Sequence, residues 1–303
     1  MSRSAGLVAA GVIAAVGLAA ILWTARHAPE SSLRSEAVPL REIADMTSRT
    51  VRIPKRPVRI LSLCTSATDA LLALGEAGRL VAIDEFSRVV PGTEHAAVVG
   101  KGSAVSREQV AALGVDLAFV WWYQDDAAAV LEDLGVPVVR IRSGRAAELP
   151  GMIRLVGDCV NCREAAEKSA EPVAAFLAKA PSQPRQDAKR AFVELYGPLK
   201  TVGRDTYTND VLELAGLRNV ADDTKGTVLF SAERLVQADP DVILVVGRDA
   251  DRAALASRPG MAELRAVRGR QVFALDRYWL VAGPRMPQSI EKIRRTLSQS
   301  PSS

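Results

Sequence analysis

Ser106-Arg-Glu-Gln-Val-Ala-Ala-Leu-Gly-Val-Asp116, running into Leu117-Ala-Phe-Val120, is matched by Ser231-Ala-Glu-Arg-Leu-Val-Gln-Ala-Asp-Pro-Asp241, running into Val242-Ile-Leu-Val245. The serine, the glutamate and the aspartate before the apolar run keep identical spacing in the two stretches. Each copy reads as a short helix followed by a buried strand. The serine is its N-cap, and the glutamate lies in the first turn, where the helix dipole favours an anion. A second pair agrees less closely: Thr68-Asp-Ala-Leu-Leu-Ala-Leu-Gly75 parallels Asn209-Asp-Val-Leu-Glu-Leu-Ala-Gly216. Together the pairs predict two similar halves.

Working outward, Val58–Cys64, Leu80–Ile83, Ala97–Val99, Leu117–Trp121 and Val136–Ile141 read as strands. Helical spacing separates them at Ser66–Leu74, Ser106–Leu113 and Asp125–Leu134. Such β-α alternation predicts an α/β fold with mainly parallel sheets and helices on their faces. The rhythm then changes. From Leu149 to Ala180 no strand signal occurs, and Ile153, Val156, Val160, Ala166, Ala170, Val173 and Leu177 fall mostly at three- and four-residue steps. One step is missed, where Arg163 falls. This spacing predicts one long helix of about 30 residues. Pro172 is its weak point, since an internal proline kinks or splits a helix, and Pro181-Ser182-Gln183-Pro184 ends it. The expected organisation is an N-terminal lobe over 42–147, a connecting helix over 148–184 and a C-terminal lobe over 185–303.

The length of 303 residues suits two lobes of this kind, and an apolar content of 48% with 24% charged residues suits a folded chain. The formal charge is +4, with no Lys/Arg-dense run of the kind that tracks a phosphate backbone, which argues against nucleic-acid binding. Arg3 precedes an apolar stretch from Ala5 to Trp23, so residues 1–28 read as an export signal or an uncleaved membrane anchor, with a linker over 29–41. Its apolar length sits at the low end of the roughly 20 residues a spanning helix needs. No cysteine follows closely, which excludes a lipid-modified cysteine there. Signal and anchor alike put the rest of the chain outside the cytoplasm.

Ile43-Ala-Asp-Met-Thr-Ser-Arg-Thr-Val-Arg-Ile-Pro54, Pro57-Val-Arg-Ile-Leu-Ser-Leu63 and Ser66-Ala-Thr-Asp-Ala-Leu-Leu-Ala-Leu-Gly75 resemble the opening of the iron-siderophore and cobalamin type of periplasmic binding proteins. Gly203-Arg-Asp-Thr-Tyr-Thr-Asn-Asp-Val-Leu-Glu-Leu-Ala-Gly216 with Asn219-Val220 resembles the start of their second lobe. Arg258-Pro-Gly-Met-Ala-Glu-Leu-Arg-Ala-Val-Arg-Gly-Arg-Gln-Val-Phe-Ala274 and Gly283-Pro-Arg285 resemble its closing segment. The resemblance implies two α/β lobes joined by a single long α-helix, with a ligand cleft between them. It also implies a monomer that captures a metal chelate, of ferric-siderophore or corrinoid type, and delivers it to an ABC permease driven by a cytoplasmic ATPase. No enzyme activity, cofactor or resident metal is implied. A membrane-tethered sensor on the same fold, or a carrier of haem, free metal or an oxoanion, is the alternative.

Ligands of open parallel sheets lie beyond the carboxyl ends of the strands. In the first lobe that rule selects Cys64, Thr65, Glu85, Phe86, Arg88, Lys101, Trp122, Tyr123 and Gln124. In the second it selects Tyr196, Arg204, Tyr207, Phe230, Tyr278, Trp279 and Arg285. The run Trp121-Trp122-Tyr123 stands out in a chain with 5% aromatics. Strand alternation turns one tryptophan into the lobe and leaves Trp122 and Tyr123 as a stacking wall. A phenolate from Tyr123 or Tyr207 also suits ferric iron. Arg88, Lys101, Arg204 and Arg285 are candidates for a cationic pocket. The resemblance further assigns permease docking to acidic residues at helix starts, here Asp125 (or Asp126) and Glu213.

Only two histidines occur, His27 and His95, which disfavours a multi-histidine metal site. The stretch Val99-Gly-Lys-Gly102 lacks the tyrosine that haem carriers of this type place after the third strand. Cys159 and Cys162 form a CxxC pair, and placement in the middle of a helix argues against redox chemistry. The chain shows no Ser-His-Asp set, phosphate-binding glycine loop or carboxylate-histidine cluster, which argues against catalysis.

Overall fold

The computed structural model describes residues 39–181, 186–247 and 249–299. The expected export segment, the linker up to residue 38 and the helix-ending Ser182-Gln183-Pro184 lie outside them. Among the described residues, no helix is long and apolar enough to cross a membrane.

The first described element is a hairpin whose first strand begins inside the expected linker. β1 (Leu40–Ala44) pairs antiparallel with β2 (Thr50–Pro54). Asp45 shapes its turn by accepting the N–H groups of Thr47 and Arg49, an Asx turn, with Ser48 at φ 65°. β3 (Ile60–Ser62), α1 (Thr65–Ala73), β4 (Leu80–Ile83) and β5 (Ala97–Val98) follow. A small hairpin, β6 (Gly100–Lys101) with β7 (Ala104–Val105), leads to α2 (Arg107–Ala112), β8 (Leu117–Trp121), α3 (Asp125–Asp133) and β9 (Val138–Ile141). Five of these strands form a parallel sheet in the order β5-β4-β3-β8-β9. The order reverses between β3 and β8, which opens a crevice at their carboxyl ends.

Two helices, α4 (Leu149–Cys159) and α5 (Arg163–Lys179), occupy the stretch expected to be one helix. The break is a Schellman motif. Asn161 takes φ 61°, its N–H bonds to Asp158 O, and Cys162 N–H bonds to Gly157 O. The missed step at Arg163 is thus the start of a new helix, and Pro172 leaves α5 unbroken. α5 folds back along α4, tied by the Arg154–Glu167 ion pair at 2.7 Å. Their crossing is close: a Cβ on Gly157 would lie 2.2 Å from the Cβ of Ala166. A single helix, α5, still makes the link to the second half.

That half contains β10 (Arg190–Glu194), β11 (Lys200–Val202), α6 (Tyr207–Leu214), β12 (Arg218–Asn219), β13 (Thr227–Leu229), α7 (Ala232–Ala238), β14 (Val242–Val246), α8 (Asp249–Ala256), α9 (Arg265–Arg268), β15 (Val272–Leu275) and α10 (Met286–Ser298). Its parallel sheet runs β12-β10-β14-β15, with β11 and β13 forming an antiparallel ribbon at the side.

The spacing conserved between the two quoted stretches has a physical basis here. Ser106 and Ser231 cap α2 and α7 by accepting the N–H groups of Gln109 and Arg234. Asp116 accepts from Val58 and Arg59 N–H, and Asp241 from Arg190 N–H. Each aspartate therefore ties the start of its own strand, β8 or β14, to the start of the neighbouring parallel strand, β3 or β10. One apolar cluster fills the space between the sheets, with Leu71, Met152, Val173, Val211 and Ile290 among its fully or nearly fully buried members. Two smaller clusters back the outer face of each sheet. The two halves thus share a core rather than meeting only at a hinge.

Candidate functional site

A cleft of about 490 Å³ opens where the carboxyl ends of the two sheets face each other. Thr65 and Ser66 after β3 and Trp121-Trp122-Tyr123 after β8 line one wall. Leu195 and Tyr196 after β10, Tyr207 on α6 and Arg277 after β15 line the other.

The aromatic run is held by its backbone. Gln124, buried, accepts Trp121 N–H at 2.8 Å and donates to Gly102 O at 3.0 Å. Trp122 N–H bonds to Ile141 O, and Trp122 O accepts from the Arg140 guanidinium. Trp121 and Tyr123 are stacked, with centroids 6.1 Å apart at 15°, and Trp122 meets both edge-on. Trp122 also lies against Gly144, where an added Cβ would come within 3.2 Å of the indole. Trp121 packs on the core as alternation requires, yet it also reaches the cleft, a placement the strand rule missed.

Of the sequence-selected residues, Thr65, Phe86, Trp122, Tyr123, Tyr196 and Tyr207 come together in this cleft. The others do not line it. Cys64 is fully buried as the N-cap residue of α1, and burial pushes its thiol up to about 12. Arg88 is exposed outside the lining. Lys101 pairs with Glu85 at 3.3 Å and stands over the Phe86 ring. Arg204 donates to Asp222 O, and Phe230 packs against Phe192 in the outer core of the second half. Trp279 packs against the central cluster with Lys292 over its ring. Among the described residues no cluster of three metal-ligating side chains occurs. Burial raises the phenols of Tyr207 and, to about 12, of Tyr123.

Tyr278 and Arg285 serve a different purpose. Tyr278 donates to Asp69 Oδ1 at 2.7 Å, Arg285 donates to Tyr278, and Arg285 N–H also bonds to the Asp69 carboxylate. Asp69 belongs to α1 in the first half and is 1% exposed. It caps the N-terminus of α10 in the second, where the dipole favours an anion. Only glycine fits at 283, since a Cβ there would sit 2.1 Å from Asp69 Oδ2.

The mirror contact exists. Asp210, on α6 in the second half, accepts Arg145 Nε at 3.0 Å, Arg145 Nη2 at 2.8 Å and Ala146 N–H at 2.7 Å. Ala146 starts the helical turn leading into α4. Asp69 and Asp210 are the matched aspartates of the second repeat pair, so each repeat helix latches the opposite half.

Burial raises the pKa of Asp69, opposed by Tyr278 and Arg285. An acid whose folded pKa is raised binds more protons folded than unfolded, so it lowers stability as pH climbs from about 4 through the native value. Asp69→Asn removes that slope. Urea titrations should show the variant gaining stability relative to the native protein over this window; a pH-independent difference between the two would refute the assignment.

The docking candidates are placed unequally. Asp125 lies in the first turn of α3, its side chain 81% exposed while pairing with Arg140 at 2.6 Å. Glu213 lies at the end of α6, not its start, and accepts from Asn209 at 2.8 Å. The acid in the first turn of α6 is Asp210, already engaged in the latch.

The CxxC pair is also placed differently. Cys159 ends α4 and Cys162 is the N-cap residue of α5, so the argument from a mid-helix position fails. Other physics disfavours a thiolate. Burial pushes Cys159 up to about 12, and burial and a hydrogen bond to Glu76 at 2.9 Å raise Cys162.

Two α/β halves, each built on a parallel sheet, thus meet around one aromatic-walled cleft. The chain belongs to the periplasmic binding protein family, whose profile matches residues 60–278. It is similar to an uncharacterised ABC transporter substrate-binding lipoprotein of Bacillus subtilis, 27% identical over 314 aligned positions that cover 98% of both chains. A cobalamin-binding protein of Halobacterium salinarum is 27% identical over 244 positions; the match covers 76% of this chain and spans 64% of that protein. Among solved structures, the vitamin B12-binding protein BtuF of Vibrio cholerae matches with a TM-score of 0.69 and 26% identity, over 81% of this chain and 98% of that one. A periplasmic haem-binding protein of Pseudomonas aeruginosa matches with a TM-score of 0.70 and 27% identity, over 81% and 94%.

Proposed function

We propose that this chain captures a metal chelate outside the cytoplasm and delivers it to an ABC importer. The observation that carries this reading is the wall of Trp121, Trp122 and Tyr123 facing Tyr196 and Tyr207 across the cleft. Rigid aromatic faces suit a large, partly apolar ligand, and a corrinoid or porphyrin-like ring fits better than a bare ion. The names of the relatives, cobalamin-binding and haem-binding, support the same class. A ferric siderophore is the other member of that class. The protein binds and releases without chemistry. Residues 42–147 and 185–303 act as the two lobes, with 148–184 joining them. Its partners are a membrane permease and the ATPase on the far side of it. Asp125, on the exposed start of α3, is the docking acid in the first lobe. Glu213 is the weaker candidate in the second, because Asn209 already engages it.

The test is a titration of residues 39–303, which keep the β1/β2 hairpin whole, against cyanocobalamin, haemin and a panel of ferric siderophores by calorimetry. Trp122→Ala is expected to weaken binding about ten-fold or more, as loss of a buried aromatic anchor does. Arg88→Ala, outside the lining, should leave affinity unchanged. Equal losses for the two variants would place the ligand elsewhere, and no binding across the panel would end the import reading.

A further inference from the structure

Arg277 was not selected by the strand-end rule, yet it is the one basic side chain among the described lining residues of the cleft. It begins a short helical turn, Arg277–Leu280, directly after β15. Its guanidinium carbon lies 5.6 Å from the ring centroid of Tyr196 on its own side of the cleft. It lies 5.7 Å from the centroid of Phe86 on the opposite side. Phe86 is 39% exposed and Tyr196 58%. The guanidinium therefore stands between two aromatic rings from different halves of the molecule, at the rim of the cleft.

Its partners are unusual for this chain. Arg145 and Arg285 reach aspartates, and Arg142 pairs with Glu148. Among the described residues Arg277 has ring contacts, with no carboxylate and no carbonyl accepting from it. Ring faces hold a cation in place without neutralising it or occupying its N–H donors. Lys101 and Lys200 flank the same two rings, at 5.8 Å from Phe86 and 5.8 Å from Tyr196. Two carboxylates stand near this group: Glu85 is paired with Lys101, and Asp276, beside Arg277 in sequence, accepts Tyr278 N–H. Asp205, the acid among the described lining residues, is engaged by Arg145 and Lys225. This end of the cleft is thus a positively charged rim with a pre-positioned planar donor, and planar guanidinium groups match carboxylate oxygens in pairs.

We propose that Arg277 is a specificity-determining residue that selects chelates carrying a carboxylate on their periphery, received at the Phe86–Tyr196 edge of the cleft. This rests on the capture of a corrinoid- or porphyrin-type ligand proposed above. The carboxylate sits against Arg277 while the ring system lies on the tryptophan wall.

The experiment uses two pairs that differ only in peripheral charge: cyanocobalamin against a monocarboxylic acid derived from it by hydrolysis of one side-chain amide, and haemin dimethyl ester against haemin. Affinities are measured by calorimetry for the native chain, Arg277→Gln and Arg277→Lys. In the native protein the acid of whichever pair binds is expected to bind about ten-fold more tightly than its neutral partner. That ratio should shrink at high salt, since the rim is exposed. Arg277→Gln should bring the ratio close to one with the neutral member bound nearly as before, and Arg277→Lys should keep part of it. Equal affinities for acid and neutral partner in the native protein, or a ratio unchanged by Arg277→Gln, would overturn the assignment to Arg277 and leave chelate capture standing. Binding of neither pair would overturn this inference, and the siderophore panel would then decide whether capture survives without it.

Discussion

Gly157→Ala is expected to destabilise the fold by about 3 kcal/mol, the upper range for overpacking a filled interior. The new methyl would sit 2.2 Å from the Ala166 Cβ, where carbon atoms need roughly 3.5 Å or more. Neither atom can swing away, since a Cβ is fixed by its own backbone. The helices α4 and α5 must separate, and both bury residues in the central cluster. The second variant in the test exchanges the two residues. With Ala166→Gly in place, the nearest remaining atoms to a Cβ at 157 are Cys162 O at 3.2 Å and Ala166 Cα at 3.5 Å. Gly157→Ala/Ala166→Gly should therefore recover most of the loss, since the ~1 kcal/mol that glycine costs inside a helix is gained at 157 and lost at 166. Denaturant midpoints measure both. A harmless Gly157→Ala, or a double variant no better than the single one, would contradict the close crossing.

Arg145→Met should cost about 2–3 kcal/mol by breaking the better formed of the two latches. Asp210 is nearly inaccessible, and its forked bond to Arg145 supplies most of its partners. Removing the arginine leaves a buried carboxylate with Ala146 N–H as its remaining close donor. Stranding one partner of a buried pair typically costs about 3–5 kcal/mol, and the lower value here allows for the half-exposed guanidinium. Removing both charges with Arg145→Met/Asp210→Leu should cost less than the single change, because no unpaired charge remains. A double variant as unstable as the sum of its parts would show that the two residues act separately. Chelate affinity in Arg145→Met, measured below its unfolding midpoint, should fall as well, since the latch fixes how the cleft walls face each other.

The elements that set the fold were largely readable from residue pattern. The strands from Ile60 to Ile141 and the helices between them fall within a few residues of their expected bounds. Serine caps and apolar runs are local signals, and local signals survive in a single sequence. The hairpin β1/β2 is hidden from a pattern reading because Arg41 stands on its covered face, reaching Asp158, while Glu42 and Arg52 face outward, and all three dilute the apolar count. Ribbons such as β6/β7 have two-residue strands, too short for any period to register. The helix break at Asn161 left one mark, the missed apolar step, which periodicity alone does not distinguish from a tolerated polar residue.

The site was readable in position but not in direction. Being at a strand's carboxyl end brings a residue near the cleft; the turn that follows decides whether it faces in. After β15 a tight turn sends Arg277 across the opening and Tyr278 back toward Asp69, one residue apart. After β3 the helix begins at once, so Cys64 ends beneath the floor. Side-chain pairing across the halves diverted Arg285 as well, and no property of that arginine's neighbours in sequence announces a partner on α1.

The two latches have a common form. Arg145 and Arg285 each precede a helix with proline in its first turn, Pro150 and Pro287, and each meets the aspartate of the other half's repeat helix. A contact made twice with its partners exchanged is the signature of isologous, two-fold association between identical subunits. The molecule is built as a homodimer would be, with both subunits on one chain. In such an arrangement the covalent connection through α5 supplies proximity, while the mutual pose of the halves is written in their facing surfaces. Relocating the chain ends, or lengthening the stretch between α5 and β10, would leave that pose intact.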